Sequence, residues 1–66
     1  MNVLVNGEPR ELEAGATVEA VLASLELPDR GVAVAVDAEV VPRSEWDARP
    51  LGPGDRVEVL NAIQGG

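Results

Sequence analysis

The sequence predicts an α+β fold, a mixed sheet of four to five strands with one helix packed across one face. Three observations carry this expectation. The pair Asn6-Gly7 sits between two short strand-like runs, and both residues tolerate the positive φ that a type I′ hairpin turn needs. Val18, Val21, Leu22 and Leu25 fall at i, i+3, i+4 and i+7, which is one apolar stripe of an amphipathic helix. Two further runs alternate with period two, Val32 to Val36 and Arg56 to Asn61, as half-buried strands do.

In chain order, residues 1–5 form the first strand and Glu8 to Glu13 the second. Pro9 and the surrounding charges suit an edge strand, because proline cannot donate to a ladder and charge discourages pairing with another chain. Thr17 is the expected N-cap, its hydroxyl accepting from a free N–H of the first turn, and Glu19 complements the positive end of the helix dipole. The helix is expected over 17–26, ended by Pro28, whose ring disfavours helical geometry at Leu27. Val32 to Val36 puts three valines on one face and two alanines on the other. Asp37-Ala38-Glu39 turns the chain into a short extended Val40-Val41. Arg43 to Trp46 reads as one helical or 3₁₀ turn, with Trp46 plugging the end of a small core and its indole N–H finding a carbonyl. Arg49 to Asp55 is a loop broken by two Pro and two Gly.

A hairpin, a crossing helix and a last strand that returns parallel to the first make a ubiquitin-like β-grasp. Residues 1–61 are the expected domain and 62–66 a flexible tail ending in Gly65-Gly66. The alternation has a further consequence. If Val3, Val5, Val57 and Val59 face the helix, Leu4 and Leu60 face away, with Ala33 and Ala35 as a shallow floor beside them. These four residues are a candidate docking patch for a partner, placed at the base of the tail.

Composition narrows the chemistry. The 66 residues contain no Cys and no His, so this chain holds no expected catalytic residue of the Ser-His or Cys-His kind, no disulfide and no metal site. The net charge of -7 repels nucleic acid and anionic membranes and suits a partner with a basic surface. No long apolar run or basic leader opens the chain, and a cytoplasmic monomer is expected.

The motifs then add up. Asn2 to Gly7, Gly15-Ala16-Thr17-Val18, Val40-Val41-Pro42-Arg43-Ser44-Glu45-Trp46, Gly54 to Val59 and the closing Gly65-Gly66 together resemble the ThiS family of sulfur carrier proteins of thiamine biosynthesis, over essentially the whole length. The resemblance implies that the Gly66 carboxylate is adenylated by an E1-like enzyme with ATP and Mg, which that partner and not this chain would hold. Sulfur from a donor such as a cysteine desulfurase system then displaces AMP. The resulting thiocarboxylate goes to thiazole synthase. Gly65, Gln64 and Ile63 would enter the partner's active site with it. Two other readings compete: a carrier for another pathway, similar to the small subunit of molybdopterin synthase, and a β-grasp binding module with an incidental tail. All five basic residues are Arg and none is Lys. Compositional drift explains this, and so would a need to keep amines away from an activated C-terminal acyl group.

Overall fold

The computed structural model describes residues 1–27 and 30–61. In chain order the elements are β1 (Asn2–Val5), β2 (Glu8–Glu11), α1 (Val18–Ser24), β3 (Val32–Val36), β4 (Glu39–Val40), a 3₁₀ turn (Arg43–Glu45) and β5 (Arg56–Asn61). They form one five-stranded sheet in the order β2-β1-β5-β3-β4. β1 and β5 are parallel and the other neighbours are antiparallel. With α1 across one face, this is the expected β-grasp.

The core follows from the alternation. Val3, Val5, Val34, Val36, Val57 and Val59 point from the sheet onto Val18, Val21 and Leu22 of α1. Val41, Trp46 and Leu51 complete the cluster. Trp46 is 5% exposed and its indole N–H donates to the Val41 carbonyl at 2.9 Å. A core this rich in valine packs a thin domain, because each short branched side chain spans little depth but presents a stiff, well-defined surface.

The helix differs from expectation at both ends, and tertiary contacts are the reason in one case, backbone geometry in the other. Thr17 has the extended backbone of a cap residue, but its side chain makes no capping bond. The first-turn N–H groups of Val18 and Glu19 donate instead to the carbonyls of Arg49 at 3.1 Å and Trp46 at 3.0 Å. The loop around the 3₁₀ turn therefore satisfies the orphan donors that a threonine hydroxyl would otherwise serve. At the other end the helix stops at Ser24, before proline sterics apply. Glu26 takes a φ of 58°, its N–H donates to Ala23, and the Leu27 N–H reaches back to Leu22 at 3.2 Å. This is a Schellman motif with glutamate where glycine is usual, closed by Leu27 packing on the core.

β2 is shorter than expected, ending at Glu11. Beyond it the Leu12 N–H donates to the Met1 carbonyl at 2.7 Å and Leu12 turns inward against the core. The β1–β2 turn at Asn6 (φ 51°) and Gly7 (φ 84°) has the positive-φ pair of a type I′ hairpin. Asp37 (φ 50°) and Ala38 (φ 71°) repeat that geometry between β3 and β4 without a glycine.

Candidate functional site: the open sheet face and the root of the tail

β5 is central to the sheet and ends at Asn61, which pairs with Val32 of β3. The tail residues Ile63, Gln64, Gly65 and Gly66 lie outside the described residues. The geometry that can be described is the surface from which they depart.

On the face away from α1, the registers decide which side chains meet. Leu60 lies opposite Ala33, Glu58 opposite Ala35, and Ala35 opposite Val40. These residues, with Asn6 and Val34, line an open depression of about 260 Å³. Leu60 is 70% exposed and Val40 78%; they are the exposed large hydrophobic residues among those described. Two small alanines form the floor and two larger aliphatic side chains form the walls, a shape that accepts an apolar protrusion.

Leu60, Ala33 and Ala35 are thus brought together, and Leu4 is not. The parallel register places Leu4 beside Arg56, four residues before Leu60 along β5. At about 3.3 Å per residue that is roughly 13 Å away. Leu4 is half-buried and lines a separate depression with Gly7, Arg56, Val57 and Glu58. The alternation identifies the face, but only the register between β1 and β5 fixes the neighbours.

Val40 and Asn6 are missing from the sequence-level set. Val40 had a signal, since Val41 is buried and adjacent strand residues point to opposite faces. Asn6 had a masked one, because asparagine already suits the I′ turn. Its side chain performs a second task. The amide accepts from the Val59 N–H at 2.9 Å and donates to the Val59 carbonyl at 3.2 Å. Its own backbone N–H donates to Val57 at 2.8 Å. The Asn6 amide stands in for the next peptide of β1, so β5 stays paired past the point where β1 turns away.

The rim is charged. Glu58, Asp37 and Arg56 surround a third depression beside the first. The Arg56 N–H donates to the Asp37 carboxylate at 3.1 Å, which anchors the β3–β4 turn on β5. Among the described residues no group of three or more His, Cys, Asp or Glu is placed to hold a metal ion, and no helix is long and apolar enough to cross a membrane. The described surface offers an exposed apolar depression with a charged rim, beside the end of β5, on a molecule of net charge -7.

Comparison with known proteins agrees in both sequence and shape. The sequence model of the ThiS family matches residues 3–66. A sulfur carrier protein ThiS from Thermus thermophilus is 45% identical over 64 residues, covering 97% of this chain and 98% of the relative. The sulfur carrier protein ThiS of Escherichia coli is 32% identical over 66 residues, the full length of both. A thiazole synthase from Paramagnetospirillum magneticum is 39% identical over 66 residues, and there the chain spans only 20% of the relative's length. In three dimensions the crystal structure of a ThiS protein from Geobacter metallireducens superposes with a TM-score of 0.78 at 33% identity, with both chains covered completely. The match runs through every element of the fold and through residue 66, and so this chain belongs to the ThiS family.

Proposed function

We propose that the chain is a sulfur carrier of thiamine biosynthesis and that its working group is the carboxylate of Gly66. The observation that carries this reading is the match through residue 66 to full-length sulfur carriers. A terminal carboxylate is ionised at neutral pH, since an α-carboxyl pKa is about 3.5, and it is a poor electrophile. An adenylating partner makes it reactive: a carboxylate oxygen attacks the α-phosphorus of ATP, and pyrophosphate leaves. A persulfide sulfur then attacks the acyl carbon and expels AMP. A second thiol, which this chain lacks and a partner would supply, then attacks the donor's sulfur in the acyl disulfide, forms a disulfide with it and expels the thiocarboxylate. Thiazole synthase is the recipient in this reading. Its support is that proteins named thiazole synthase contain a segment similar to this whole chain.

Glycine suits the task because a Cβ at position 66 would crowd the carbon under attack, and a glycine at 65 lets the chain approach a partner's backbone closely. The five residues after Asn61 span about 17 Å when extended. That is enough to enter an active site while the sheet face seats outside it. The depression formed by Leu60, Val40, Ala33 and Ala35 is the proposed seat.

The test is an incubation with an adenylating enzyme, ATP and a sulfur source, read by intact mass for exchange of oxygen for sulfur. Oxidation of Met1 adds nearly the same mass, so the gain must map to the C-terminal fragment. Gly66→Ala is expected to depress pyrophosphate release strongly while leaving the thermal unfolding midpoint in place. Wild-type turnover by that variant would remove Gly66 from the mechanism.

A further inference from the structure

Building on the activated Gly66 terminus, we propose that this carrier is protected against acylating itself: it places no reactive amine within reach of its own acyl adenylate. An acyl adenylate reacts with amines as well as with sulfur. The nitrogen lone pair attacks the Gly66 carbonyl carbon, the bond to the phosphate oxygen breaks, AMP departs with the electron pair and the nitrogen loses a proton. The product is an amide, a dead end for sulfur transfer.

Two features of this chain close that route. The first is chemical. All five basic residues are Arg and there is no Lys. A guanidinium stays protonated and delocalised, so it carries charge without offering a nucleophilic lone pair. The second is geometric and concerns the amino group of Met1. Because β1 runs parallel to β5, with Leu4 level with Arg56, Met1 lies level with residue 53. The Gly54 N–H bond to the Asn2 carbonyl at 2.8 Å confirms that alignment. Met1 precedes Leu4 by three residues along β1 and Asn61 follows Arg56 by five along β5, which together set them roughly 26 Å apart at about 3.3 Å per residue. A five-residue tail spans only about 17 Å. An antiparallel β1–β5 pair would have set the amine beside the tail root. The Met1 ammonium is also engaged, donating to the Leu12 carbonyl at 2.6 Å and to a Glu11 carboxylate oxygen at 3.0 Å.

Arg30 is the informative position. It is exposed and lies two residues before Val32, the strand partner of Asn61, so its side chain originates at the tail root. Arg30→Lys keeps the charge and introduces an amine within the tail's reach. Glu13→Lys introduces one at the exposed far end, beyond it. Each protein is incubated with the adenylating enzyme and ATP, without a sulfur source, then analysed by intact mass and peptide mapping. The expected result is normal pyrophosphate release by all three. Only Arg30→Lys accumulates a species lighter by one water, with an amide between Lys at position 30 and Gly66. Adding the sulfur source should compete that product down. An unmodified Arg30→Lys chain with normal pyrophosphate release overturns the proposal and leaves the carrier function standing. An equal yield of amide in Glu13→Lys overturns the geometric half. Absence of pyrophosphate release by the wild-type chain overturns the carrier reading and this proposal with it.

Discussion

Glu26 and Ala38 both sit in the left-handed region, with φ of 58° and 71°. For a residue with a Cβ that conformation costs about 1–2 kcal/mol. Both side chains are exposed, so neither offsets the strain by burial. Glu26→Gly and Ala38→Gly are each expected to raise stability by about 1 kcal/mol, measured by urea denaturation, and at well-separated sites the two gains should add. Asn6 is the opposite case. Its φ of 51° is tolerated by asparagine, and its amide holds both polar groups of Val59. Asn6→Gly keeps the turn geometry and removes only the amide. It should therefore lower stability by about 1–3 kcal/mol, the cost of leaving strand groups without partners. A neutral outcome would mean that water replaces the amide at no cost. Neither strain nor the double use of Asn6 is legible in the sequence, because asparagine before glycine is already explained by the hairpin.

At the scale of elements, the loop from the 3₁₀ turn to Pro50 holds the structure together more than its irregular sequence suggests. It supplies the carbonyls of Trp46 and Arg49 to the first turn of α1, and the Leu51 N–H returns a bond to Ala16 at 2.8 Å. Trp46 ties the same loop to Val41. Trp46→Ala should cost about 3–5 kcal/mol. That is a large share of the total for a domain this small. Loss of the loop would also release the helix N-terminus, so far-UV circular dichroism should show helix and sheet melting together at a lower midpoint. By contrast Thr17→Val should change stability by less than a lost cap normally does, about 1 kcal/mol, because the Thr17 hydroxyl caps nothing. The strand and helix cores were legible in the valine alternation and the 3.6-residue stripe. The helix ends were not, because distant carbonyls and a non-glycine Schellman turn carry no local signature.

For the whole molecule, the net charge of -7 and the apolar seat on the open face act on different stages of an encounter. Long-range attraction to a basic partner speeds association and is screened by salt, with a Debye length of about 10 Å at 0.1 M ionic strength. In the proposed complex, short-range burial of Leu60 would slow dissociation. Raising ionic strength should lower the association rate with the proposed adenylating partner and leave dissociation nearly unchanged. Leu60→Asp should do the reverse, weakening binding by about tenfold to a hundredfold, the worth of burying one leucine. Leu4→Asp should matter less to this contact, because Leu4 is half-buried in a different depression. Surface plasmon resonance with the two variants separates these effects. An equal loss from Leu4→Asp would place the contact elsewhere on the sheet.

The sequence by itself determined the order of the elements, which residues face the core, the absence of Cys and His chemistry, and the family, through motifs that run to Gly65-Gly66. Those properties depend on the period of side-chain direction along one segment and on residue identity. Only the tertiary structure decided the register of β1 against β5. That register sets Leu4 apart from Leu60, brings Asn6 to the seat, and puts the amino group of Met1 and the tail root at opposite ends of the sheet, while the pairings of β3 with β4 and β5 bring Val40 there. Register is a relation between segments distant in sequence. A shift of two residues along a strand preserves every inward and outward face, so alternation alone does not distinguish one such pairing from the next.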